Sequence, residues 1–313
     1  MRSLYLCAAL LALQCIVLTP RLRAQSGASA SEPTGNSADT ISTAHFTPEF
    51  LWTEQFSGSA NSEGRVTSLD STLGYVFSRN FGVDAGLPVY FVHGTIPNDS
   101  GAAVSTSNNG IGDGYAQLRF SFPTPLLNYK TVLTGTVPTG STANGLSTGH
   151  PTYDWTNHFD RAFGRWTPFA EAGIGNSIPS DFIFNRPYAS YGHEAHVQAG
   201  AEYQVLEFLG LSVSGYDLAP WGSQTIFSRV VTKGTPPPGA GGRGPVFGQA
   251  NQTTGGAGIA ADSGFSVGAD ISPGSLVDFS LGYSHSVQLN LDTFSFGIGV
   301  NMSRLLRRVR SGS

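Results

Sequence analysis

The sequence predicts an all-β chain: a single transmembrane antiparallel β-barrel of about 12 strands. Three observations predict it. Strand-length segments follow one another with polar and apolar residues in alternation. Short links between them alternate with long ones rich in Gly, Ser, Asn and Pro. Composition fits a sheet with one wet and one apolar face, since of 313 residues 40 are Gly and only 12% are charged, about half the share usual in soluble domains. The mean hydropathy of -0.06 is that of neither a helical membrane protein nor a charged soluble one.

The chain opens on a secretory signal, residues 1–30: Arg2, a run from Leu4 to Leu18 broken by Gln14, then Pro20 and small residues. Cleavage is expected between 24 and 30. Leu22-Arg23-Ala24 places a poor residue three before the cut, whereas Ala28-Ser29-Ala30 has the small-x-small form. Cys7 and Cys15 leave with this segment, and Leu6 and Gln14 before them do not suit a lipoprotein signal. A secreted chain without cysteine relies on backbone pairing and packing, not disulfides. Without Arg2, Arg21 and Arg23 the 17 basic residues fall to 14 against 21 acidic ones, so the net charge moves from -4 to -7. That balance argues against nucleic acid as a partner. Residues 31–44, made of Ser, Ala, Gly and Thr with scattered charge, read as a flexible leader.

The barrel is expected over 45–302. Its strands are read at 45–56, 65–77, 81–93, 110–122, 130–138, 151–161, 166–178, 192–205, 209–232, 263–271, 276–287 and 291–302. The second puts Leu69, Leu73, Tyr75 and Phe77 on one face and Ser68, Asp70 and Thr72 on the other. The third opposes Phe81, Val83, Ala85, Leu87, Val89 and Phe91 to Gly82, Asp84 and Gly86. The fourth, GIGDGYAQLRFSF, opposes Ala116, Leu118, Phe120 and Phe122 to Asp113, Tyr115, Gln117, Arg119 and Ser121. In the eighth, Ala195, Val197, Ala199, Ala201, Tyr203 and Val205 oppose Glu194, His196, Gln198, Gly200, Glu202 and Gln204. The tenth and eleventh repeat the pattern with Phe265, Val267, Ala269 and Ile271, then Val277, Phe279, Leu281 and Tyr283. The twelfth carries Phe294, Phe296, Ile298 and Val300. It does not stop on an aromatic residue but runs into a basic tail, 303–313, with Arg304, Arg307, Arg308 and Arg310.

The links at 78–80, 123–129, 162–165, 206–208 and 272–275 are short. Those at 57–64, 94–109, 139–150, 179–191 and 233–262 are long, and 287–290 is a tight link where a long one is due. This sorting is the asymmetry of outer-membrane barrels, with turns in the periplasm and loops outside. A soluble sandwich has no reason for it. No later segment offers the roughly 18 to 20 apolar residues a spanning helix needs, and only a closed sheet pairs every backbone group in lipid. The apolar faces therefore point to lipid and the polar faces inward.

Over roughly Arg65 to Met302, three spaced elements carry a resemblance: LGYVFSRNFGVDAGLPVYFV with Leu87-Pro88, GIGDGYAQLRFSF with Gly110 to Asp113, and TVLTGTVPTG with Pro138 to Gly140. In that order they resemble the outer-membrane proteins grouped with the MetA pathway of phenol degradation. The resemblance implies a barrel that passes hydrophobic or aromatic compounds.

Chemical motifs have plain readings beside them. His193-Glu194-Ala195-His196 looks like a metal site, but residues three apart on a strand point to opposite faces. Ser284-His285-Ser286 invites comparison with barrel lipases, yet the neighbours of His285 point away from it, so no Ser–His pair forms. The candidate lumen-lining residues are Asp70, Asp84, Asp113, Gln117, Arg119, Asp154, His158, Glu171, Glu194, His196, Glu202 and Asp270, with Asp160 and Asp278 on the same rows. Carboxylates in rings favour cations; a mixed-charge interior packed by ion pairs is the plainer reading. Trp52, Tyr75, Trp155 and Trp166 suit interfacial girdles, while alternation turns Tyr90 inward, where it could meet a solute. Pro236-Pro237-Pro238 with the glycines after it reads as a passive outer loop, beside the alternative that a long loop folds inward and occludes a pore.

No cofactor, metal or catalytic residue is expected. The expected partners are outer-membrane lipid of a Gram-negative cell, the barrel-assembly machinery and a small-molecule solute crossing passively. A barrel hydrolase acting on lipid and a structural or adhesive barrel with a closed lumen are the alternatives.

Overall fold

A computed structural model describes residues 48–97, 103–124, 126–179, 182–231 and 245–311. The expected signal, the leader and the proline–glycine stretch at 236–244 lie outside the described residues. The strands are β1 (Glu49–Asn61), β2 (Gly64–Ser78), β3 (Phe81–Pro97), β4 (Ala103–Ile111), β5 (Gly114–Pro123), β6 (Asn128–Val137), β7 (Thr152–Asp160) and β8 (Trp166–Gly175). They continue as β9 (Tyr188–Tyr191), β10 (Glu194–Leu206), β11 (Leu209–Pro220), β12 (Ser223–Ser228), β13 (Gln252–Gly256), β14 (Asp262–Ile271), β15 (Val277–Ser286) and β16 (Leu291–Asn301). Helix α1 (Met302–Ser311) follows the last of them.

Twelve strands close on themselves. β1, β2, β3, β5, β6, β7, β8, β10, β11, β14, β15 and β16 pair antiparallel in that order, and β16 returns to β1 through Thr53↔Asn301 up to Ala60↔Phe294. The barrel is that of the predicted fold class. Its outer surface exposes the apolar rows: Leu69, Leu73 and Phe77 on β2, Leu118, Phe120 and Phe122 on β5, Val267 on β14, Phe294 and Phe296 on β16. In water each such side chain would forfeit about 1.5–3 kcal/mol of burial, so this surface belongs against lipid. At the rim of tight turns, Tyr75, Phe77, Phe81 and Phe120 make a chain of ring contacts with centroids 4.7, 5.3 and 4.9 Å apart. Trp166 packs on Tyr203 at 4.7 Å on the same belt, as amphipathic rings do where lipid meets water. Glu54 interrupts the outward row of β1; Trp52 Nε1 and Ser71 Oγ each donate to its carboxylate at 2.7 Å.

Four features depart from the predicted elements. First, β1 and β2 are joined by Ser62-Glu63 alone, not by a loop over 57–64. The small residues Ser57, Gly58 and Ser59 remain paired to both neighbours, because a ladder is held by backbone groups whatever the side chains. The sorting of links into short and long is therefore broken at this hairpin.

Second, the segment 110–122 is two strands, not one. β5 pairs with β3 from Phe81 to Gly86, and β4 pairs with the same edge from Val89 to Pro97. Pro88 lies between them and has no N–H to give to a ladder. The chain breaks there at Gly112-Asp113, with the Gly112 N–H donating to Pro88 O at 2.8 Å. Much of the expected loop 94–109 is thereby strand.

Third, the ninth predicted strand, 209–232, ends as a barrel strand at Pro220. Gly222, at φ 73, turns the chain out of the wall. β12 then joins β9 and β13 in a separate three-stranded sheet.

Fourth, the basic tail begins as helix. The Arg304 N–H donates to Asn301 Oδ1 at 3.0 Å, a side-chain cap on the first turn. Because β16 pairs with β1 only from Thr53 upward, the lower edge of β1 is open, and α1 lies along it. The Trp52 N–H donates to Ser303 Oγ at 2.7 Å, and Ser303 Oγ donates to Phe50 O at 3.3 Å. The helix thus covers a strand edge that pairing leaves bare.

Closure has a direct consequence. The folded protein in detergent is expected to migrate faster on a gel when unboiled than when boiled, and identical migration in both states would contradict a closed barrel.

Candidate functional site: the lumen and its folded-in cap

The polar rows of the strands face one another across the inside of the barrel, and those nearer the turn end are joined by short side-chain contacts. Arg119 places its guanidinium fork on Asp84, with Nη2 donating to Oδ1 at 3.0 Å and Nε to Oδ2. Gly82 leaves the room, since a Cβ there would stand 3.2 Å from Arg119 Nη2. Tyr115 donates to Asp70 Oδ2 at 3.0 Å and shares a hydrogen bond with Thr72 at 2.7 Å. Its ring lies across Gly86, where a Cβ would meet the hydroxyl at 2.3 Å. Gln117 Nε2 donates to Thr134 Oγ1 at 3.2 Å. His158 stands between Glu171 Oε2 at 3.3 Å and Asp160 Oδ1 at 3.6 Å. Glu202 and Asp270 flank Gly210, which pairs with Asp270 in the ladder and lies beneath the Glu202 carboxylate.

Higher in the barrel Asp154 and His196 meet at 2.9 Å over Gly173, where a Cβ would stand 2.2 Å from His196 Nε2. Thr156 Oγ1 donates to Asp154 Oδ2 at 2.5 Å and lies 3.4 Å from the same His196 nitrogen. A nucleophile–base–acid relay needs the carboxylate on one ring nitrogen and the hydroxyl on the other. Here both partners share Nε2, and among the described residues His196 Nδ1 is buried without a hydrogen-bond partner. The trio is therefore not arranged as such a relay. Glu194 is 0% exposed, with neither carboxylate oxygen hydrogen-bonded among the described residues. Asp113 stands apart from these rows, in the break between β4 and β5, where its Oδ1 accepts from the Gly140 N–H at 3.1 Å. His285 is hydrogen-bonded to Asp292 at 2.7 Å, while Ser286 Oγ donates to Asp262. Among the described residues no group of three or more His, Cys, Asp or Glu is placed to hold a metal ion.

The other end of the lumen is filled. Wall residues Val66, Tyr90, Val92, Tyr216, Leu218 and Leu291 form one apolar cluster with loop residues Leu146, Ile178, Phe182, Tyr188, Ile226, Val230 and Phe247. The segments after β6, β8 and β11 thus fold inward and supply the core that a soluble protein would have between its sheets.

Two loop arginines fasten this cap. Arg186, 2% exposed, reaches the wall: its Nη1 donates to Asp262 Oδ2 at 3.0 Å and to Tyr188 OH at 3.2 Å. Tyr216 and Ser286 also donate to that aspartate, at 3.3 and 2.5 Å. Arg229 donates from Nη1 to Arg186 O at 2.8 Å and from Nε to Gly145 O at 3.2 Å. Its guanidinium covers the Tyr90 ring at 4.3 Å, so Tyr90 faces inward as alternation requires but lies under the cap. Wall contacts add to these: Asn108 Nδ2 donates to Arg229 O at 2.6 Å, and Asn185 Nδ2 donates to Ser57 and Ser68 at 2.9 and 3.1 Å. Gly145, at φ 66, lets the turn after β6 touch the Ser228 carbonyl, where a Cβ would stand at 2.0 Å.

Sequence periodicity did not reveal the cap, because loop segments carry no period. A signal was nevertheless present: Phe182-Ile183-Phe184 and Val230-Val231 are too apolar for solvated loops.

No family model matches the chain, and no curated protein does. Among solved structures, an outer membrane channel from Pseudomonas putida F1 is similar at TM-score 0.48 and 11% identity, covering 85% of this chain and 100% of that one. The KdgM porin in complex with disordered oligogalacturonate follows at 0.44 and 5%, covering 79% and 98%. The NanC porin stands at 0.43 and 8%, also covering 79% and 98%.

Removing one partner from a buried ion pair strands the other, at about 3–5 kcal/mol. Arg186→Gln is therefore expected to shift the docked cap toward the undocked state by about a hundredfold or more. The check is proteolysis of the folded barrel: faster nicking of the cap segments in the variant, with the barrel still heat-modifiable on a gel. A second expectation concerns Glu63, in the hairpin turn against the Gly248 turn. Burial raises its carboxyl above the ordinary value, outweighing a hydrogen bond with Ser62. The packed state thus prefers the protonated form, and its contribution fades as pH rises through the raised value. Cap protection should be greater at pH 4 to 5 than at pH 8, and Glu63→Gln should remove that component.

Proposed function

We propose that the protein is an outer-membrane barrel of a Gram-negative cell through which a small solute crosses passively once the cap is displaced. The observation that carries this reading is the combination of a lipid-suited outer surface with a polar inner wall. A barrel serving only as an anchor has no use for facing acids along its interior. Barrels of eight strands are filled by side chains, and those of sixteen hold open channels; twelve strands leave space that, among the described residues, chain segments occupy at the loop end. Turn-end lining residues Asp70, Asp84, Gln117, Arg119, His158, Glu171, Glu202 and Asp270 are the wall a solute would pass. Asp154, Glu194 and His196 stand just beneath the cap.

Acids outnumber bases on this wall, and carboxylate rings favour cations, so passage is weakly cation-preferring. The resemblance of Leu87-Pro88, Gly110 to Asp113 and Pro138 to Gly140 to the MetA-pathway proteins makes hydrophobic or aromatic solutes the first class to assay. The barrel-assembly machinery would insert it and membrane lipid would surround it.

The cap favours a second reading, a structural barrel whose lumen stays closed. Neither His196 nor His285 is paired with a nucleophile in a relay, so neither favours a lipid hydrolase.

Purified protein in planar bilayers separates the two readings. The expected result is low, intermittent conductance with a reversal potential of cation sign in a salt gradient, rising in Arg186→Gln and in Asp262→Asn. Silence from all three, with the barrel folded, would establish the closed reading; anion preference would remove the acidic wall from the account.

A further inference from the structure

Helix α1 does more than cover the edge of β1. Met302, Leu305 and Leu306 recur at helical spacing on one side, and Arg304 and Arg307 fall on the other. The segment brings four arginines, Arg304, Arg307, Arg308 and Arg310, and no acid, although the chain as a whole carries a net charge of -4. A basic helix that served only to cover an edge would not need this concentration of charge, nor leave leucines in contact with solvent. Leu305 is 36% exposed, Leu306 48%, and the neighbouring Phe50 on the outward row of β1 55%. The ion pair of Arg307 with Glu49 and the Ser303 hydrogen bonds to the β1 backbone tie one side of the helix to the rim. The leucines are left at the height where the lipid-facing surface ends.

We infer that α1 is an interfacial anchor that seats its leucines in the leaflet at the turn end of the barrel and holds anionic phospholipid headgroups with its arginines. The inference rests on the reading of the chain as a membrane barrel. An amphipathic helix with a basic polar side lies in the plane of the interface, held by apolar burial and by attraction to anionic lipid. Guanidinium forks suit phosphate oxygens in pairs. The turn end of an outer-membrane barrel faces the periplasmic leaflet, so the partner is a phospholipid surface and not the lipopolysaccharide of the other leaflet. The helix would fix the depth and tilt of the β1–β16 seam, where the wall is closed by strands of unequal reach.

The test uses the full mature chain carrying Leu306→Cys, the sequence-predicted mature form having no other cysteine, labelled with an environment-sensitive dye. It is folded into vesicles of phosphatidylcholine alone or with about 30% phosphatidylglycerol. The expected result is a blue-shifted emission, shielded from an aqueous quencher, in the anionic vesicles and weakened by high salt. Adding Arg304→Gln should lower the shielded population about fivefold, the effect of roughly one cation at an anionic surface. Unshifted emission and full access to the quencher in both vesicles, with the barrel heat-modifiable on a gel, would overturn the anchor while leaving the barrel intact. Shielding that is equal in both and insensitive to salt would overturn the anionic-lipid part and leave apolar seating alone. Failure to become heat-modifiable in either vesicle would remove the barrel reading, and the anchor with it.

Discussion

A polypeptide crossing a hydrocarbon layer must satisfy each backbone N–H and C=O within itself, because the surroundings offer no substitute. The return of β16 to β1 meets that condition for the wall, and most other features answer to it. Side chains along the wall are released from holding the sheet together. Consecutive small residues such as Ser57-Gly58-Ser59 can therefore stand in β1, and glycines can make room for Tyr115, His196 and Arg119. Where the ladder cannot be completed, the chain supplies a local repair: the branch at Pro88, the turn at Gly222, and α1 against the bare edge of β1.

The second constraint is volume. With lipid outside, a core can form only within the barrel, and twelve strands enclose more space than their own inward side chains occupy. At the loop end this space is filled by chain, with an apolar cluster of loop and wall residues. At the turn end it is bridged by polar pairs. The division separates two kinds of stabilisation: an apolar core built by loop segments, and a ladder that cannot be opened without breaking the barrel.

The wall was legible in the sequence to an unusual depth, for a physical reason. A period of two with different solvents on its two sides leaves the same mark in every strand, so Leu69 outward with Asp70 inward, or Val197 outward with His196 inward, follows from alternation alone. What escaped depends on contacts that periodicity does not encode. Pro88 ends one pairing and starts another, but a proline in a strand announces only a missing donor, not which strand will change. Asp113 kept its place in the alternating row on paper, yet the break at Gly112 gives it to the Gly140 amide. Alternation shows the candidate pairs as rows and not as partners: nothing in the spacing of Asp84 and Arg119 says they meet, because the register of β3 on β5 is fixed by the break at Pro88 and by Asn80, whose O accepts from the Ser121 N–H at 2.9 Å and whose Nδ2 donates to Ser121 O at 2.6 Å. The cap was least visible, since Arg186 and Arg229 acquire their meaning only from carbonyls and rings brought to them by distant loops.

Arg229 ties together three parts of the chain that are far apart in sequence: the carbonyl of Gly145 after β6, the carbonyl of Arg186 after β8, and the ring of Tyr90 in the wall. A fastening shared in this way makes partial departure unfavourable, because any one segment that leaves strips a partner from a charge still buried among the others. The cap is therefore a cooperative unit rather than a set of independent flaps. On the proposed function its states would be two, seated and released, and traffic through the lumen would arrive in discrete openings rather than as a graded leak.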